Sequence, residues 1–87
     1  MSSYTIEITS KAQKDLKKLN PAIRSRIEKE ILKLELDQKP QQFKPLMGRK
    51  IAQYRIRVGD YRVLYDLYPE DNVVLILRIG HRKEIYR

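Results

Sequence analysis

The sequence predicts an α+β domain: an N-terminal strand and a two-helix hairpin packed on one face of a small, mainly antiparallel sheet. Three observations carry this. Apolar residues recur at helical spacing from Ala12 to Leu34 and at strand spacing from Tyr54 onward. Clusters of Gly, Pro, Asn and Asp mark the changes of direction between those runs. The chain has 87 residues, enough for one compact core, so residues 1–87 are expected to form a single domain.

Each element follows in order. "YTIEIT" alternates Tyr4, Ile6 and Ile8 against Thr5, Glu7 and Thr9, a half-buried strand. Ser10 is placed to cap a first helix with the stripe Ala12, Leu16, Leu19. Asn20 as N-cap and Pro21 at the first helical position start a second helix. That helix carries Ile23, Ile27, Ile31 and Leu34 and is expected to reach about Asp37. "DQKPQQFKPLMG" is expected to be a loop. "YRIRV" then sets Tyr54, Ile56 and Val58 against Arg55 and Arg57. Gly59 and Asp60 turn the chain into "YRVLYDLY", with Tyr61, Val63, Tyr65 and Leu67 on one face and Arg62, Leu64, Asp66 and Tyr68 on the other. "PEDN" turns it again into "VVLILRI", apolar on both faces as an interior strand should be. The tail "GHRKEIYR" follows.

Composition narrows the chemistry. There is no cysteine and a single histidine, which excludes disulfides, thiolate metal sites and multi-histidine clusters; no metal or cofactor is expected. No apolar run approaches the roughly 20 residues of a spanning helix, and the opening residues lack a secretory pattern, so a cytoplasmic protein with no membrane contact is expected. The formal charge is +8 and the pI about 9.9, which points to a polyanionic partner. Before Phe43 the cations are mostly lysines interleaved with Asp15, Glu28, Glu30 and Glu35, the pattern of solvated helix faces. From Arg49 onward they are mostly arginines, and arginine on a strand suits bidentate binding of phosphate or carboxylate.

Two helices cover only one face of the sheet. The other is expected to present Arg55, Arg57, Arg62 and Arg78, continued by His81, Arg82 and Tyr86. Like charges placed opposite one another destabilise a sheet unless an anion sits between them. Simpler roles stay open for single residues. Arg78 can pair with Asp66 or Glu84, and Arg55 with Glu70. His81 can be a turn residue bonded to backbone, and Tyr86 a packing anchor for the tail.

"YRIRVGDYRVLYDL" followed by "VVLILRIGHRKEIY", after a strand–helix–helix opening, resembles the RelE/ParE toxin superfamily, specifically its RelE side. The resemblance spans nearly the whole chain. It implies a small α+β ribonuclease of microbial RNase-type architecture, the toxin of a type II toxin–antitoxin system. Such a toxin enters the ribosomal A site and cuts messenger RNA, and its partner is an acidic antitoxin protein. Carried over, Arg55 and Arg57 match a basic pair on the first hairpin strand, and Arg62 the arginine at the scissile phosphate. Arg82 matches the arginine after the glycine turn, Tyr86 a tyrosine that stacks on or orients the nucleotide, and His81 a position that is basic or histidine. Arg57, Arg62, His81, Arg82 and Tyr86 form the implied catalytic set, and Arg49, Lys50, Arg55 and Arg78 the implied RNA-binding set.

Arg57 departs from the family pattern. Where the best-studied RelE toxins carry a lysine proposed as general base, guanidinium is always protonated and cannot serve. Arg57 remains suited to phosphate binding. His81, with an ordinary pKa of about 6.5, and Tyr86 are the candidates for moving protons. Two alternatives share the fold: a ParE-like inhibitor of DNA gyrase, and a non-catalytic RNA-binding member.

Overall fold

In a computed structural model that describes residues 3–48 and 51–86, the chain runs β1 (Thr5–Ile8), α1 (Ser10–Lys17), α2 (Pro21–Lys33), β2 (Phe43–Pro45), β3 (Tyr54–Val58), β4 (Tyr61–Tyr68) and β5 (Val73–His81). The strands form one sheet in the order β1-β5-β4-β3-β2. β1 lies parallel to β5, and the other neighbours are antiparallel. The apolar strand β5 is therefore interior, with a partner on each side, as its sequence requires.

The helices start where short polar side chains satisfy their first amide groups. Asn20 Oδ1 accepts from the Ala22 amide at 2.8 Å, and Pro21 occupies the first turn where its missing N–H costs nothing. The cap of α1 is Thr9, one residue before the expected Ser10. Thr9 Oγ1 accepts from the Ala12 amide at 3.1 Å and also donates to the Leu77 carbonyl at 3.1 Å, a second bond Ser10 has no strand neighbour to make. α2 closes at Lys33, short of Asp37, because the last turns tighten to three-residue bonds such as Glu35 N–H to the Leu32 carbonyl. The segment expected as pure loop contains β2, which pairs Phe43 with Ile56 at the sheet edge.

Both helices lie on one face. Ala12 and Leu16 of α1 and Ile27 and Ile31 of α2 bury their side chains, with Leu34 just beyond it, against Ile56, Val63, Tyr65, Val74 and Ile76. Each valine, leucine or isoleucine so buried contributes about 1.5–3 kcal/mol of transfer free energy. The Tyr65 ring is fully buried in this core while its hydroxyl donates to the Gln38 carbonyl at 2.7 Å, tying the loop after α2 to the sheet.

One irregularity matters for everything downstream. A bulge between β4 and β5 leaves Leu77 without a paired residue: Leu64 pairs with Arg78, and Tyr65 with Ile76. The alternation along β5 therefore shifts by one. Ile76 and Ile79 both join the helix-side core, while Leu77 joins a second cluster on the open face with Ala52, Leu64 and Ile85.

Candidate nucleic-acid interface

The β3–β4 hairpin builds the cationic centre. Gly59 adopts φ +60° at the first position of a two-residue turn closed by Val58 and Tyr61, a geometry that tightens the hairpin and suits glycine. The register then puts Arg57 directly opposite Arg62 and Arg55 opposite Leu64. On its other side Arg62 faces Gly80 of β5, which has no side chain to compete for the space. Arg62 is braced by its Nη1 donating to the carbonyls of Gly59 at 3.1 Å and Tyr61 at 3.0 Å. Arg55 Nη1 donates to the Gln42 carbonyl at 3.3 Å, in place of the open pairing with Glu70.

The tail completes this surface by folding back over it. Residues 82–86 make a tight turn, with the Ile85 amide donating to the His81 carbonyl at 2.9 Å and the Arg82 amide to the Asp60 carbonyl at 2.8 Å. Ile85, 5% exposed, packs on Ala52 and Leu64, and Tyr86 lies against the same cluster. Gly80 leaves room for the fold-back: a Cβ there would stand 3.0 Å from Ile85 Cδ1, a contact tight enough to push that methyl aside. Residues 82–86 are thus an anchored segment that carries Arg82 and Tyr86 beside the open-face cluster.

Electrostatics ties the group together. Burial, and then the neighbouring charge of Arg55, lower the Arg62 pKa from the ordinary guanidinium value; Arg57 and Arg82 act the same way, while Tyr86 opposes them. Arg55, Arg57, Arg82 and Tyr86 thus all lie near enough to Arg62 to act on its charge. An anion placed there relieves mutual repulsion as well as gaining contacts. Arg82 has a counter-charge in Asp60, whose Oδ1 is 3.8 Å from its Nε with both side chains largely exposed, a weak pairing.

Two expected residues point elsewhere. His81 pairs with Tyr61 on the helix-bearing side, their rings edge to face with centroids 5.5 Å apart. Its Nδ1 accepts from the Lys83 amide at 3.2 Å, the structural role left open by the sequence. Arg78 is held by Asp15 of α1, Nε to Oδ2 at 2.9 Å, rather than by Asp66 or Glu84. Asp15 is accordingly no solvated helix residue. Arg49 and Lys50 lie outside the described residues. Gly80, expected as a turn, instead lies within β5 and pairs with Arg62, while Ile85 and Asp15, which hold the tail in place, carry no signal in the sequence.

Among the described residues, no three His, Cys, Asp or Glu side chains converge as metal ligands, and no helix is long and apolar enough to cross a membrane. Residues 6–86 match the family model of the ParE toxin of the type II toxin–antitoxin system parDE. The chain belongs to this family. It is 38% identical to toxin RelG of Mycobacterium tuberculosis over 85 residues, covering 97% of each chain. The toxin–antitoxin complex RelBE2 of the same organism contains a chain of the same fold, with TM-score 0.78 and 34% identity, over 92% of this chain and 99% of that one. The RelE–RelB complex of Pyrococcus horikoshii gives TM-score 0.80 and 30% identity over 94% and 98%. This chain is a type II toxin of the RelE/ParE superfamily, with that superfamily's α+β fold.

Proposed function

We propose that this toxin is a ribosome-dependent endoribonuclease that cuts messenger RNA in the A site. The observation that carries the reading is the placing of Arg57 directly opposite Arg62, beside the open-face cluster on which Tyr86 packs, with Arg55 and Arg82 near enough to act on the Arg62 charge. In the reaction the 2′-oxygen of one nucleotide attacks the adjacent phosphorus in line. The bond to the 5′-oxygen breaks, leaving a 2′,3′-cyclic phosphate and a 5′-hydroxyl. One proton must leave the 2′-hydroxyl and one must reach the departing oxygen. The arginines suit the negative charge that gathers on the phosphorane oxygens, held in place before the reaction begins. Tyr86 is the one member of this group able to exchange a proton, since guanidinium cannot accept one and His81 faces the helices. So sparse a set of acid–base groups supports a site completed by the ribosome and its message.

The same surface supports an acidic antitoxin as partner, because a clustered positive face is complemented by a negative chain. The relatives from M. tuberculosis and P. horikoshii are toxin–antitoxin complexes, the latter with RelB. The matching family model is described as ParE, which favours a second reading as a gyrase-binding toxin.

Translation with purified ribosomes, followed by mapping of message ends, separates the readings. Cuts within the A-site codon are expected, with little cutting of free RNA. Efficient cleavage of naked RNA overturns ribosome dependence. Gyrase-linked DNA breaks with intact message move the assignment to the second reading.

A further inference from the structure

β5 loses its parallel partner halfway along. The pairing with β1 ends at Ile8↔Ile76, where the chain turns away into α1. The bulge loosens the opposite edge at the same place. The stretch that leads through Gly80 to Arg82 is therefore paired on one side only, with Arg62 and Tyr61 of β4. On the side that β1 vacates, Thr9, the cap of α1, and Asp15 within that helix bond to the strand instead. The Thr9 amide donates to the Ile76 carbonyl at 3.0 Å and its hydroxyl to Leu77. Asp15 Oδ2 accepts from the Ile79 amide at 3.0 Å and from Arg78 Nε at 2.9 Å, with Arg78 Nη2 3.4 Å from Oδ1.

The Asp15 side chain is only 12% exposed. A carboxylate that buried is costly unless paired and hydrogen-bonded, and here it is both. Removing it leaves a guanidinium and a backbone amide without their acceptor at the point where β5 has least support. None of its bonds reaches the open-face arginines; its effect passes through the backbone of residues 79–82.

We propose that Asp15 is a positioning residue for the toxin's active edge, fixing the end of β5 so that Arg82 and Tyr86 meet Arg62. Only the activity readout of this proposal rests on the nuclease reading. The test uses the full chain with Asp15→Ala and Asp15→Asn, each alone and combined with Arg82→Ala, at a temperature where all remain folded. Backbone amide exchange and chemical shifts are followed from Ile79 to Tyr86, beside A-site cleavage kinetics.

In Asp15→Ala, exchange at the Ile79 amide should accelerate about tenfold, the scale of one lost hydrogen bond, and the amide shifts of Arg82 and Tyr86 should move. Its kcat for cleavage should fall about ten- to a hundredfold with KM within about twofold, as a small misplacement of a reacting group does. Asp15→Asn keeps an acceptor for Ile79 and should lie closer to the parent. In the Arg82→Ala background the further loss should shrink to less than about threefold, because the two changes act through one group. Parental shifts at Arg82 and Tyr86 in Asp15→Ala, or an equal loss with and without Arg82, overturn the proposal. If the parent itself leaves translated message intact, the nuclease reading falls, and the amide measurements alone decide for or against Asp15.

Discussion

Arg57 and Arg62 stand opposite one another across β3 and β4, where the side chains of paired residues are close enough to repel. A fold selected for stability alone has little reason to keep that pair. Arg57→Gln should therefore stabilise the domain, by about 0.2–1 kcal/mol, while weakening cleavage. Thermal or urea unfolding measured beside A-site cleavage checks both halves; a destabilised variant sinks the repulsion argument. Arg62→Ala is the cleaner probe of chemistry and should slow cleavage about 10²–10³-fold, the loss seen when one oxyanion donor is removed. His81 makes the contrasting case. Its ring packs on Tyr61 and its Nδ1 serves the Lys83 amide, so His81→Gln should leave the pH–rate profile unchanged. A flattened profile in that variant would bring imidazole back into the mechanism. Arginines on β3 and β4 were legible from sequence because period-two alternation holds there without interruption. Beyond Leu77 it fails, since one bulged residue reverses which side chains face the helices, and nothing in "VVLILRIGH" announces it.

At the level of elements, the run from strand to helix shows how a boundary can be nearly right and physically different. Thr9 and Ser10 are both good capping residues. Only Thr9 lies where its hydroxyl meets both the Ala12 amide and the Leu77 carbonyl. Thr9→Ala should cost about 1 kcal/mol or somewhat more, and Ser10→Ala less than about 0.5 kcal/mol; equal costs in denaturant titration would refute the assignment. β2 escaped sequence reading because three residues, the last a proline, carry too little alternation to register, and its pairing is supplied by β3. The loop before it is fastened by Tyr65, whose pKa is raised from the ordinary 10.0 chiefly by burial. The sign follows directly: below pH 10 both folded and unfolded chains keep the phenol neutral. Above it the unfolded chain ionises first, so stability falls as pH rises, by up to about 1.4 kcal/mol per pH unit until the folded phenol also ionises. Tyr65→Phe should flatten that alkaline limb and lose about 1 kcal/mol near neutrality, since the Gln38 carbonyl loses its donor. Unfolding free energies from pH 7 to 11 test the pair.

Across the whole molecule, the charge of +8 falls on two different surfaces. Lysines 11, 14, 17 and 18 ride on or just beyond α1, whereas the arginine cluster occupies the opposite, helix-free face. Total charge alone cannot say which surface takes nucleic acid, but salt dependence can. Each phosphate neutralised on a single strand lowers the slope of log K against log salt by about 0.7, so contacts by Arg55, Arg57, Arg62 and Arg82 together predict a slope near −3. Replacing Arg62 with Ala should bring that slope back by about 0.7, similarly for oligomers of different sequence, because guanidinium–phosphate contacts carry no base information. Replacing Lys11 and Lys14 with Gln should leave it nearly unchanged. Anisotropy titrations of short single-stranded RNA across a salt series measure all three chains directly. A slope that responds to the lysines and ignores Arg62 places the RNA on the helices, and the arginine face then awaits a different anion.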